Sequence, residues 1–300
     1  MEILLKGIDM MKLALLGDIH SNYKALERCL DYCEEKGVDG YLFLGDYISD
    51  CPHPAKTLEL IRSICLRYPY RMIRGNRESY QLMHHASPTE DWSYCANTGS
   101  LLYTYENLNL EDLNLFRECE ISQLVSLEGY PEFTICHGSP SSDRELLHIG
   151  SELAKQRLMQ AETELLICAH THIQGQFDYC GKTLINPGSV GIAVGVAGQA
   201  QFAILHGDPD GWRAEFLSLD YDLDQLLKEF RESDLPAKAK TFAKLIQYEL
   251  ITGDNILPEV YGLAEEYTRK AYGFIPEGNL EDDFWEAAYQ RVMRDRNYKQ

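Results

Sequence analysis

Short apolar runs ending on a polar residue recur through the first two hundred residues. Each is followed by a stretch whose apolar positions lie three or four apart. KLALLGD leads into YKALERCLDYCEEKG, where Ala25, Leu26, Cys29, Leu30 and Cys33 fall at helical spacing. YLFLGD leads to HPAKTLELIRSIC, with Pro54 placed for a first helical turn, and YRMIRGN leads to RESYQLMHH. Strands alternating with helices predict α/β layers with parallel strands at the centre. After a helical middle at about 98–118, FTICHG, ELLICAH, KTLINPGS, AQFAILHG and WRAEFLSL read as short strands, with a helical stretch only near 150–161. They predict a second, more antiparallel sheet packed on the first. From Tyr221 the pattern is helical again, in DLDQLLKEF, KAKTFAKLIQYEL and EDDFWEAAYQRVM. The expected architecture is α/β: a two-sheet β-sandwich flanked by helices over 1–220, with a C-terminal helical extension over 221–300 docked on it. Phe230, Phe242, Tyr261, Tyr267, Tyr272, Trp285 and Tyr289 are expected to be the face by which the extension packs against the sandwich, with an oligomer contact or a cover over a substrate pocket as alternatives.

Composition adds limits. Apolar residues make up 45% and charged residues 25%, the proportions of an ordinary globular chain, and no apolar run is long enough to span a bilayer. The opening MEILLKGIDMMKLALLGD mixes charge with apolar residues and does not read as a secretory signal, so a cytoplasmic location is expected. Met10 and Met11 directly precede the first strand pattern, leaving open a start there instead of at Met1. Nine cysteines, an odd number scattered through core segments, read as reduced thiols; Cys29 and Cys33 lack the second pair that a thiolate metal site needs. A net charge of −19 argues against binding to duplex nucleic acid or an anionic membrane, but not against phosphate chemistry, because bound dications reverse the sign of a pocket.

The chemistry lies at the ends of the apolar runs. LALLG stops at Asp18 and His20, YLFLG at Asp46, YRMIRG at Asn76, EFTIC at His137, and ELLICA at His170 and His172. Ligands of open α/β sheets bind beyond the carboxyl ends of the strands, so five strands would deliver Asp, Asn and His to one edge. Taken singly, each has an ordinary explanation: a helix cap for Asp18 or Asp46, a turn for Asn76, a hydrogen-bonded core histidine for His137. Their joint recurrence at strand ends is what those explanations leave out, and imidazole with carboxylate is a donor set for divalent cations.

The blocks Asp18-Ile19-His20, Gly45-Asp46, Gly75-Asn76-Arg77-Glu78, His137-Gly138 and Ala169-His170-Thr171-His172, in this order, resemble the calcineurin-like metallophosphoesterase superfamily over about residues 11–205. Asn186-Pro187-Gly188-Ser189 resembles its small bacterial phosphodiesterase branch, and chains similar to this one include diadenosine tetraphosphate hydrolases. The resemblance implies a sandwich fold and two divalent cations, drawn from manganese, iron, zinc and nickel, of which the oxygen and nitrogen donors without thiolate favour Mn²⁺ or Fe²⁺ over Zn²⁺ or Ni²⁺. Asp18, His20 and His172 would hold one cation and Asn76, His137 and His170 the other, with Asp46 bridging both. It implies in-line hydrolysis of a small phosphorylated substrate, a phosphodiester or a nucleotide, by a hydroxide shared between the cations, with Asp46, Asn76 and Arg77 at the reaction.

One position departs from the family pattern. Many members carry histidine after the asparagine of Gly-Asn, and this chain carries Arg77. A guanidinium keeps its proton near neutral pH but clamps phosphate well. The chain therefore uses another acid, with His53, His84 and His85 as candidates, or acts on good leaving groups. A phosphoserine or phosphothreonine protein phosphatase is the alternative enzyme, but GDYISDC lacks the Asp-Arg-Gly of that class. A non-catalytic scaffold on the same fold would have lost ligands, and none is missing here.

Overall fold

The computed structural model describes residues 10–88, 91–276 and 278–296; residues 1–9, over which the start was left open, lie outside the described residues. Strands and helices first alternate: β1 (Met11–Leu16), α1 (Tyr23–Lys36), β2 (Gly40–Phe43), α2 (Pro54–Cys65), β3 (Tyr70–Met72) and α3 (Asn76–Ala86). Then come α4 (Gly99–Glu106), α5 (Leu110–Glu118), β4 (Ser122–Val125), β5 (Phe133–Cys136), α6 (Glu152–Gln160), β6 (Leu165–Ile167), β7 (Gly175–Tyr179), β8 (Lys182–Asn186), β9 (Gln199–Asp208) and β10 (Gly211–Asp220). Four helices follow: α7 (Leu223–Glu232), α8 (Leu235–Thr252), α9 (Leu257–Tyr272) and α10 (Asp282–Asp295).

Helix α1 shows how local chemistry sets these bounds. The Asn22 side chain accepts from the Ala25 N–H at its start, and Gly37 ends it at φ 63°, a left-handed conformation that glycine adopts without strain. Its buried residues are the five at helical spacing, Ala25, Leu26, Cys29, Leu30 and Cys33.

The sheets run β10-β9-β1-β2-β3 and β4-β5-β6-β8-β7. Strands β1, β2 and β3 are parallel, with β9 antiparallel to β1 and β10 to β9. In the other sheet β5, β6 and β8 are parallel and the edges β4 and β7 antiparallel. Both sheets are thus mixed. This corrects the expectation that AQFAILHG and WRAEFLSL join a second, more antiparallel sheet: they form a hairpin of two ten-residue strands that extends the first sheet. The reason is burial, since Ala200–Leu205 are covered on both faces, as an interior strand beside β1 must be.

Alternation along each strand divides the core. Leu13, Leu15, Leu42 and Leu44 face Phe133, Ile135 and Ile167 between the sheets, whereas Ala14, Leu16, Tyr41 and Phe43 pack under α1 and α2. Leu166 and Leu184 lie under α6. The C-terminal helical extension docks through Leu226, Phe230, Ala243, Ile246 and Leu250 onto Cys51, Tyr103 and Ile192. Its second layer differs from the expected packing face. Trp285 and Tyr289 are buried among α8, α9, α10 and Ala96, not against the sandwich, while Tyr261 and Tyr272 are 39% and 48% exposed. No described helix is long and apolar enough to cross a membrane. The described cysteines are free, and burial pushes the Cys29 thiol well above its ordinary range, which suits core packing and not ligation.

Candidate metal centre

The parallel strands β1, β2, β3, β5 and β6 end at one edge of the sandwich, and the loops leaving them are cross-stitched. Asp18 N–H donates to Gly45 O (3.0 Å), His20 N–H to Asp46 O (2.9 Å), and Ala169 N–H to His137 O (2.8 Å). The backbone is strained there: Asp18, His20, Asp46, His170 and His172 have φ between 50° and 66°. Left-handed conformations cost an L-residue free energy and persist where the surroundings dictate them, commonly at functional sites. Gly75 is needed for space, because a Cβ there would run into the Asp46 carboxylate.

Two groups of donor atoms result. Those of Asp18, His20 and His172 lie within 4.8 Å of one another, as do those of Asp46, His137 and His170. Asp46 Oδ2 stands between the groups, 3.7 Å from His20 Nε2 and 3.5 Å from His137 Nε2. Asn76, the first residue of α3, places Oδ1 3.1 Å from His137 Nε2. The seven side chains singled out from the sequence thus meet at this edge.

The tautomers follow from the partners. His137 Nδ1 donates to Leu44 O and His172 Nδ1 to Ile192 O, both at 2.8 Å, because a carbonyl only accepts. His20 Nδ1 lies 3.1 Å from Asp50 Oδ2. Each Nε2 therefore points inward and offers a lone pair whenever its ring is neutral, the arrangement of metal-ligating histidines. His20 Nε2 and His172 Nε2 then face each other at 3.0 Å, His137 Nε2 faces Asn76 Oδ1, and the buried Asp18 Oδ1 has no donor. Electron-rich atoms this close need positive charge among them. Burial opposes a charged His137, yet the carboxylates of Asp46 and then Asp18 hold its pKa up at about 10. Burial, then the neighbouring His137 charge, pushes His170 down to about 4. The residues fit divalent cations bound through oxygen and nitrogen.

Supporting residues that the sequence reading left without a role complete the site. Asp50 is buried and its carboxylate is fully used: Oδ2 takes Arg77 Nη2 (2.8 Å) and faces His20 Nδ1, while Oδ1 accepts from Ser49 Oγ (2.8 Å) and Ser100 Oγ (3.1 Å). Glu78, also buried, accepts the N–H groups of Asp46 (2.9 Å), Tyr47 (2.8 Å) and Gly75 (2.8 Å). Ser189 Oγ donates to Asp18 O (2.7 Å), and Asn186 Nδ2 to Ala169 O (2.8 Å), so the Asn-Pro-Gly-Ser block holds the loops that carry Asp18 and His170. The signals available were the carboxylate four residues after Asp46 and the glutamate at the third position of α3.

Arg77 donates its backbone N–H to Asp46 Oδ1 (2.8 Å) and fixes its guanidinium on Asp50. The candidate acids are engaged elsewhere. His53 Nε2 pairs with Glu229 of α7 at 2.7 Å, His85 Nδ1 lies 2.9 Å from Tyr105 Oη, and His84 stacks on Trp92.

Residues 11–174 match the model of the calcineurin-like phosphoesterase family. An uncharacterized protein of Methanocaldococcus jannaschii is 23% identical over 242 residues, 75% of this chain and 93% of its own length. Two crystal structures share the fold. A hypothetical protein from Pyrococcus horikoshii has a TM-score of 0.68 at 20% identity, covering 82% of this chain and 100% of that one. A metallophosphoesterase from Sphaerobacter thermophilus has a TM-score of 0.64 at 21% identity, covering 81% and 100%. With histidines and buried carboxylates gathered within the matched stretch, the chain belongs to the calcineurin-like phosphoesterase family and is a metal-dependent phosphoesterase.

Proposed function

We propose that the chain hydrolyses phosphodiesters or nucleoside polyphosphates with two divalent cations, as diadenosine tetraphosphate hydrolases do. Asp18, His20 and His172 would hold one cation and Asn76, His137 and His170 the other, with Asp46 shared. The observation that carries this reading is the placing of Asp46 Oδ2 between two groups of donors, beside imidazole nitrogens that point inward. The oxygen and nitrogen donors suit Mn²⁺ or Fe²⁺, and Zn²⁺ or Ni²⁺ are also accommodated. When bound, such a pair supplies Lewis acidity toward phosphoryl oxygens and a nucleophile at neutral pH.

The chain's own residues position and select. Asp46 is fixed by the Arg77 N–H, and the loop carrying it is fixed by Glu78. The Arg77 guanidinium, held on one side by Asp50, offers its remaining N–H groups to a substrate phosphate. Asp50 and Asp46 raise its pKa against the effect of burial, so it keeps its proton and supplies none to a leaving group. This favours leaving groups that depart unaided, such as a phosphate or an acidic alcohol, over simple alkyl monoesters. The test is hydrolysis by the Mn²⁺-loaded protein of p-nitrophenyl phosphate, bis(p-nitrophenyl) phosphate and diadenosine tetraphosphate. The diester or the polyphosphate should exceed the monoester in kcat/KM; a clear preference for the monoester overturns the substrate class.

A further inference from the structure

Helix α3 connects the metal centre to a cavity of about 400 Å³ lined by Tyr80, Met83, His84, Ser87, Trp92 and Leu101. His84 and Trp92 stack face to face, with centroids 4.1 Å apart and planes 8° apart, and Tyr105 meets His84 edge-on. Burial, and then His85, keeps the His84 pKa below its ordinary value, so the stacked imidazole is neutral at neutral pH. Met83 is 59% exposed beside this stack. Asn76 opens the helix, Tyr80 lies one turn on, and Met83 and His84 lie two turns on, about 10 Å along the axis.

Two guanidiniums flank the space between, Arg77 paired with Asp50 at 2.8 Å and Arg144 3.8 Å from Asp143. The Arg144 guanidinium sits over the Tyr80 ring at 4.7 Å, with Nη2 3.5 Å from Met83 Sδ, and the Arg144 main chain hydrogen-bonds the His170 imidazole. Arg77 stands at the other end of the first turn. In a chain of net charge −19, two guanidiniums beside one edge of a dication site form a path for a phosphate. Beyond them lies a cavity walled by flat rings and a polarisable thioether, which reward a planar aromatic group over an alkyl chain.

We propose that this cavity is the subsite for the base of a nucleoside phosphate whose phosphorus sits at the metal centre. The proposal rests on the phosphoesterase reading above and names the organic half of its substrate. Trp92, Met83 and His84 hold the base, Arg144 and Arg77 flank the phosphate, and the two-turn separation matches the span of a ribose with its base.

The test compares two esters that share a leaving group, adenosine 5′-(p-nitrophenyl phosphate) and methyl p-nitrophenyl phosphate, with the Mn²⁺-loaded protein. The nucleoside ester should be preferred in kcat/KM by about tenfold or more. Trp92→Ala should shrink that ratio by about five- to a hundredfold, mainly through KM, the range for losing one base–aromatic stack. Trp92→Phe, which keeps a ring, should retain most of the ratio. Because a ratio is read, a general loss of folded protein cancels. No preference in the parent, or a ratio unchanged in Trp92→Ala, overturns the subsite. Adenosine 5′-monophosphate binding, followed by tryptophan fluorescence, separates this outcome from failure of the underlying reading. Quenching in the parent that is absent in Trp92→Phe supports the subsite even if neither ester is cleaved, in which case the substrate class fails. Absence of quenching in the parent overturns the subsite.

Discussion

Asp50→Asn removes one charge and almost no volume, and the geometry around it sets the consequences. The amide can turn its Nδ2 toward Ser49 and Ser100, whose hydroxyls can accept, and leave its oxygen between His20 and Arg77. The contacts survive, but two interactions with a carboxylate become interactions with a neutral carbonyl. Hydrogen bonds to charged groups contribute about 1.5–3 kcal/mol and neutral ones about 0.5–1.5 kcal/mol. The loss is therefore about 1 kcal/mol or more per contact, and about 2–3 kcal/mol for the pair. Half of it falls on His20, a proposed metal ligand whose Nδ1 faces Asp50. Replacing such a partner lowers metal affinity by about 10–100-fold. The other half falls on Arg77, which loses its fixed orientation toward a phosphate. The assay is calorimetric titration of the metal-stripped variant with Mn²⁺, alongside kcat and KM on bis(p-nitrophenyl) phosphate. The expected result is one weakened metal-binding step, a raised KM and a Tm lowered by several degrees, as the loss of about 2–3 kcal/mol in the folded chain requires. Parent-like metal affinity and KM would refute the reasoning.

Other variants probe neighbouring parts of the site. Glu78→Gln leaves one oxygen to accept three buried N–H groups, so it should cost about 1–3 kcal/mol of stability in urea unfolding and lower kcat by displacing Asp46; parent-like values on both counts would contradict this. Arg77→Ala should raise KM and leave kcat nearly intact across aryl phosphodiesters of graded leaving-group pKa. A loss confined to the poorest leaving groups would instead mean that Arg77 assists departure. Burial raises Glu249 from 4.5 to about 8, outweighing the favourable charge of His20. The folded chain therefore keeps a proton that the unfolded chain releases, and stability falls as pH rises from about 4.5 through 8, by at most about 5 kcal/mol. Glu249→Gln should accordingly raise the Tm of the metal-free protein at pH 8 more than at pH 5; an equal shift at both would show that Glu249 is not held protonated.

The sequence made legible what depends on local pattern. The stripe of α1 was readable because residues at helical spacing must share a face, and the meeting of Asp18, Asp46 and His137 because parallel strands end on one edge. Strand β7 was not readable: GQFDY is an edge strand with mostly uncovered side chains, so no apolar run marks it. Helix α9 went unmarked for a related reason, since Val260, Ala264 and Thr268 make a thin stripe behind Pro258. The sheet membership of β9 and β10 is set by long-range pairing with β1, which apolar runs do not encode. Asp50 was hidden most fully. Its bond to Arg77 depends on Asp46, Ser49 and Asp50 all taking left-handed conformations, which no spacing announces.

The most direct measurement is metal content. After loading with Mn²⁺ and removal of excess, elemental analysis should find close to two divalent ions per chain, with hydrolysis abolished by a chelator and restored by Mn²⁺. Asp46→Asn should lower the content at both sites at once, because its carboxylate stands between the two groups of donors. A content near zero with hydrolysis indifferent to chelator, or an Asp46→Asn variant that keeps both ions and its turnover, would contradict the account.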